Sequence, residues 1–312
     1  MKRIAMKVVL GALAAIAATA CALLVAVLVR QDRTFDAPYP QIHASKDPAI
    51  IARGKYLAQG PGHCVECHGA PEDRHVADGA LSGGFEIHLP IATVRIPNIT
   101  SDPETGIGAL SDRQIARVLR HGVRPDGRVA LPFMNLANAS DADLTAIVSY
   151  LRTLPAVSHR VEPTSFNLLG KLALAFFLEP QGPSRPVPAT IAPAPTADYG
   201  AYLAHSVAGC VKCHTRIDLR TGVYSGPLLG GGNDMDSDSN PDVKLTPPDL
   251  RPGGRLAGWD EETFVQRFRR GSAIEGTPMP WAAFGRMTDD DLRAIYRYLA
   301  ALTPDQIPFA TR

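Results

Sequence analysis

The 312-residue chain is 45% hydrophobic and 20% charged, with a formal net charge of +1. This composition excludes a disordered chain. No basic run lies beyond the N-terminal tip, which excludes the concentrated positive face of a nucleic-acid binder. The length suits two ordinary domains or one large one, and 27 prolines point to long, stiff connectors.

Lys2, Arg3 and Lys7 precede an unbroken apolar run from Val8 to Val29, closed by Arg30. At ~1.5 Å per residue the run spans about 33 Å, enough for a bilayer core of roughly 30 Å. The leading positive charge places the N-terminus in the cytoplasm and the remainder outside. A signal peptide cleaved near Ala18-Thr19-Ala20, or lipid attachment at Cys21, are alternatives. An uncleaved anchor over residues 1–30 is favoured, because Ala22 to Val29 stays as apolar as before, where a mature chain turns polar. Cys21 is then a small hydrophobe.

The rest of the chain is a duplicated unit. Gly54, Tyr56, Leu57, Cys64, Cys67 and His68 recur 146 positions later as Gly200, Tyr202, Leu203, Cys210, Cys213 and His214. Leu119-Arg120-His121-Gly122 parallels Phe268-Arg269-Arg270-Gly271. Leu144, Tyr150 and Leu151 pair with Leu292, Tyr298 and Leu299. The copies are expected to form units at 48–156 and 196–312. In the first, a short helix around 48–58 leads into Cys64, and a middle helix over 111–121 shows Ile115, Val118 and Leu119 on one face. A last helix opens at Ser140, a good N-cap, with Asp141 and Asp143 near its positive end. Its buried stripe is Leu144, Ile147, Val148 and Leu151. Thr288 opens the matching helix, whose stripe is Leu292, Ile295, Tyr296 and Leu299. Pro155 and Pro304 stop the two. No alternating run is long enough to predict a sheet.

The connector, 157–195, ends in a stretch carrying Pro180, Pro183, Pro186, Pro188, Pro193 and Pro195, which should be extended. Its apolar segment, 166–178, is too short to span a membrane. Packing on a domain is favoured over lying at the membrane surface or meeting a partner.

Cys64-Val65-Glu66-Cys67-His68 and Cys210-Val211-Lys212-Cys213-His214 are both C-x-x-C-H, the attachment signal of c-type haem. One helical turn sets two thiols on one side, where they add to the porphyrin vinyl groups, and the next histidine projects to the iron. Zinc-ribbon pairs stand closer together, a thioredoxin-like pair needs a βαβ setting, and a disulfide gives the two histidines no role. Two covalent haem c groups are therefore expected, through Cys64, Cys67, Cys210 and Cys213, with His68 and His214 on the irons.

Met134 follows His68 by 66 residues and Met279 follows His214 by 65. Equal spacing beside prolines makes them the expected second iron ligands, against the alternative of methionines filling core gaps. Met235 and Met287 have no counterparts. His121 is matched by Arg270 and reads as a solvated helix end. His75 or His88 stays an alternative ligand for the first haem. Pro227 is placed to offer its carbonyl to His214, or to be a turn proline. Asp234, Asp236, Asp238 and Asn240 read as a solvated acidic loop, a docking patch for a basic partner at most.

Residues 97–108, Pro-Asn-Ile-Thr-Ser-Asp-Pro-Glu-Thr-Gly-Ile-Gly, followed by a helix and Gly122-Val123-Arg124-Pro125-Asp126-Gly127, resemble the cytochrome subunits of periplasmic membrane-bound dehydrogenases, such as those for alcohol and gluconate. The likeness covers both copies. Leu245-Thr246-Pro247-Pro248-Asp249-Leu250 is a worn version of the first motif. Those subunits generally carry three haems. The resemblance implies cytochrome c folds; with the helices, the repeat and the apolar run read above, the expectation is an all-α chain of two tandem cytochrome c folds behind a transmembrane helix, in a bacterial inner membrane. It implies a relay from a dehydrogenase subunit toward quinone, an oxidase or another cytochrome. His/Met ligation, closing the iron and raising its potential, suits that role better than a dihaem peroxidase. An anchored subunit of a terminal oxidase differs only in partner.

Overall fold

The computed structural model describes residues 2–72, 78–134, 136–218, 223–240 and 242–303. Helix α1 (Lys2–Arg30) leaves the body of the protein, and its stretch Arg3–Arg30 is long and apolar enough to cross a membrane. The first copy contributes α2 (Pro48–Gln59), α3 (Cys64–His68), the hairpin β1 (Glu86–Leu89) and β2 (Ala92–Arg95), α4 (Asp112–His121) and α5 (Asp141–Leu151). The connector adds β3 (Ser165–Phe166) and α6 (Leu168–Phe176). The second copy contributes α7 (Ala197–Tyr202), continued by a π-turn over Leu203–Val207, then α8 (Cys210–His214), β4 (Met235–Asp236), β5 (Lys244–Leu245), α9 (Glu261–Arg269), α10 (Trp281–Phe284) and α11 (Asp289–Ala300).

The helix ends follow local chemistry. Ser111 closes a capping box with Gln114, and Ser140 and Thr288 accept from the main-chain N–H of Asp143 and Asp291. The expected stripe of α5 is buried, Leu144 and Val148 completely. In α11, Leu292, Ile295 and Leu299 are buried while Tyr296 is half-buried. Pro304 and His75 lie outside the described residues.

In each copy the first and last helices cross at contact. A Cβ on Gly54 would lie 1.8 Å from the Ala146 carbonyl oxygen, and one on Gly200 would lie 1.9 Å from that of Ala294. Glycine at both positions is thus a steric requirement, and its recurrence carries the repeat from sequence into packing.

The described residues are mainly helical, but not wholly so. β1 and β2 pair antiparallel about a two-residue turn at Pro90-Ile91, and β3 pairs with β2. Strands of four and two residues carry too little alternation to be read from sequence, and β3 (Ser165–Phe166) joins β2 (Ala92–Arg95) from the far-off connector. The sheet covers an apolar cluster of Ala92, Val94 and Ile96, on which Cys67 and Leu131 pack.

A single core cluster runs through both copies, from Leu57 and Leu144 to Leu203 and Leu292. The polar contacts joining them are reciprocal. The Tyr56 hydroxyl donates to Asp291 at 2.5 Å and accepts from the Thr288 N–H. Its equivalent, Tyr202, donates to Asp143 at 2.7 Å and accepts from the Ser140 N–H. At the centre Arg53 pairs with Asp143 and donates to Tyr199 at 2.9 Å. The connector passes the start of α5, where the carbonyls of Pro188 and Ala189 take the free N–H groups of Asp141 and Ala142.

Candidate haem sites

Each C-x-x-C-H motif forms one short helix, entered by a residue with left-handed φ: His63 at 39° before α3, Gly209 at 66° before α8. Burial pushes the Cys64 and Cys210 thiols up to about 12, each with its partner cysteine close enough to add to the effect. Both thiols are therefore held neutral in apolar surroundings.

The two histidines are oriented identically. His68 Nδ1 lies 2.9 Å from the Pro97 carbonyl oxygen, and His214 Nδ1 lies 2.9 Å from that of Pro248. A carbonyl only accepts, so Nδ1 carries the proton and Nε2 keeps its lone pair for a metal. Burial lowers both pKa values, which keeps the rings neutral. His214 is buried and His68 partly so. Pro97 and Pro248 come from the matching 97–108 and 245–250 segments. Pro227 does not play this part: it closes a turn by accepting from the Gly230 N–H.

Met134 and Met279 are both half-buried on loops ahead of the last helix of their copy. Leu131, three residues before Met134, packs on the same apolar cluster as Cys67. Cys210 and Met279 both pack against the main core. The Met134 loop is also gripped from the other copy, by Lys212 of α8. That contact was not visible in the sequence, where Lys212 is the variable third residue of the motif.

The remaining candidates fall elsewhere. Met287 is buried core, and Met235 is half-buried on β4. His88 sits on β1 with its side chain 74% exposed, 3.7 Å from Glu86. His121 is half-buried rather than solvated, and desolvation lowers its pKa. In the acidic loop Asp236 pairs with Lys244, and Thr246 donates to Asp234 at 2.5 Å.

Residues 49–151 match the family model described as cytochrome C oxidase, cbb3-type, subunit III. That match spans the first copy, and the relatives of the whole chain are named as cytochrome c subunits of dehydrogenases. Over 278 residues, 83% of its length, the chain is 31% identical to the cytochrome c subunit of alcohol dehydrogenase (quinone) from Gluconacetobacter polyoxogenes. It is 31% identical over 277 residues to the gluconate 2-dehydrogenase cytochrome c subunit of Pantoea cypripedii. The chain spans 57% and 60% of those two relatives. A diheme cytochrome c-type protein of Cereibacter sphaeroides is 29% identical over 255 residues and is covered to 81%. Cytochromes of this class hold haem c covalently, and the residues present fit it: in each motif two thiols and an imidazole with its Nε2 free leave one helical turn.

Proposed function

We propose that residues 48–156 and 196–312 are two cytochrome c domains, each holding one haem c. Cys64, Cys67, His68 and Met134 serve the first, and Cys210, Cys213, His214 and Met279 the second. The observation that carries this is the repeated second contact, His68 to Pro97 and His214 to Pro248, which prepares both imidazoles in the same way. The bound haem supplies one-electron cycling of its iron. The chain's part is to fix each imidazole's tautomer, keep water from the apolar clusters around the thiols, and present methionine sulfur, which favours the reduced state.

The chain is read as a relay held by α1 at the periplasmic face of a bacterial inner membrane. It would pass electrons from a membrane-associated dehydrogenase subunit toward quinone, a terminal oxidase or another cytochrome. The dehydrogenase side rests on similarity over four-fifths of the chain, whereas the oxidase model matches the first copy alone. Expression with the haem-ligation machinery should yield a mass increased by two porphyrins. Cys64→Ser/Cys67→Ser and Cys210→Ser/Cys213→Ser should each remove one. An unshifted mass overturns the assignment.

A further inference from the structure

We infer that α6 is a second membrane contact, an interfacial helix that settles into the lipid headgroup–acyl boundary beside α1. The inference rests on reading α1 as an uncleaved anchor. The apolar run of α1 ends at Val29, and Arg30 marks where the chain leaves the hydrocarbon. The C-terminal end of α6 is bonded to that level. Arg30 Nε donates to the Ala175 carbonyl at 3.4 Å, and Arg33 donates to those of Leu174 at 3.0 Å and Leu178 at 2.7 Å. The Arg30 guanidinium also lies 5.3 Å from the centre of the Phe176 ring. Val27, one turn back in α1, is buried. The depth of α6 therefore follows from the depth of α1.

The other end of α6 is fixed to the first copy. Asn167 caps the helix and donates to the Pro90 carbonyl at 2.9 Å, and a Cβ on Gly170 would lie 2.3 Å from the Ile91 oxygen. With both ends held, the helix turns large apolar groups outward: Leu168 at 59% exposure, Leu169 at 63% and Phe177 at 75%. In water these groups would form an exposed apolar patch, continuous with the lipid-facing surface of α1. Apolar side chains on a short helix, with the arginines at the end of α1 bonded to its last turn, are what a bilayer boundary accommodates. Lipid is thus the occupant that continuity with α1 selects. The haem-bearing body would be held at two points rather than swinging on a single helix.

The test is photo-crosslinking of the full-length holoprotein in phosphatidylethanolamine/phosphatidylglycerol vesicles. p-Benzoylphenylalanine is placed singly at Leu13 in α1, at Leu169, at Phe177, and at Ile274, an exposed apolar position of the second copy. Phospholipid adducts are expected at 13, 169 and 177 and not at 274. Adducts at 13 without any at 169 and 177, or adducts there to protein alone, overturn the proposal and leave the anchor standing. No adduct at 13, with a mature chain shortened from its N-terminus, overturns the anchor. The α6 contact falls with it.

Discussion

The ammonium of Lys212 donates to the carbonyl oxygen of Met134 at 2.9 Å, and equally to that of Pro132. A residue of the second attachment motif thereby holds the methionine loop of the first copy. Burial lowers its pKa to about 8, which still leaves it cationic at neutral pH. Lys212→Met should keep both haems attached, yet weaken the methionine-to-iron absorption band of the first haem. Removing a nearby positive charge favours the oxidised state, so that haem's potential should fall, by roughly tens of millivolts for a partly screened charge. Redox titration of the variant checks both sign and site.

Tyr56→Phe and Tyr202→Phe each remove the hydroxyl that a buried carboxylate of the other copy depends on. Each should destabilise the protein by about 1.5–3 kcal/mol, the usual consequence of losing a hydrogen bond to a buried charged group. Arg53 and Asp143 link the two sites, so the double variant should depart from additivity. Denaturant unfolding followed by circular dichroism gives the comparison.

Gly54→Ala and Gly200→Ala place a methyl group inside the van der Waals radius of a main-chain oxygen on the crossing helix. The helices must separate, with a loss at or above the about 3 kcal/mol upper end of ordinary overpacking. Gly253→Ala, with nothing within 4 Å of its new Cβ, is the neutral control. Yield of haem-loaded protein and melting temperature are the readouts.

His205 lies 2.6 Å from the Tyr298 hydroxyl, and burial lowers its pKa to about 4. The unfolded chain binds this proton near pH 6.5, so between 6.5 and about 4 it holds more protons than the folded one. Stability is therefore complete above about 6.5 and falls with acidification, by at most about 3 kcal/mol from this group. Gln59 occupies the same place in the first copy and donates to Tyr150 at 3.1 Å. His205→Gln should keep an equivalent bond and flatten the acid limb of the melting-temperature profile.

The parts that could be read from sequence are those set by neighbours along the chain: the attachment motifs, the helix caps, the buried stripes and the apolar N-terminal run. The partners of the histidines could not, because Pro97 and Pro248 lie 29 and 34 residues away. Pro227 is nearer in sequence but engaged in its own turn. Asp143 and Asp291 were legible as acids at positive helix ends. Nothing local indicated that each also accepts a hydrogen bond from a tyrosine of the other copy. The hairpin at Pro90-Ile91 is not legible in the sequence because its strands are short and its third strand comes from the connector.

The reciprocal tyrosine–aspartate bonds have the form of an isologous contact, each half offering the other the same hydroxyl and the same carboxylate. A matched pair of one-motif chains would meet through such a surface, and joining them end to end creates no new interface, only a tether. On the dyad, however, a strictly symmetric pair must set a residue against its own copy. Arg53 and Tyr199 stand at that point in this chain. In a single chain one side can be cationic and the other its hydrogen-bonding partner, a pairing that two identical arginines would forbid by repulsion.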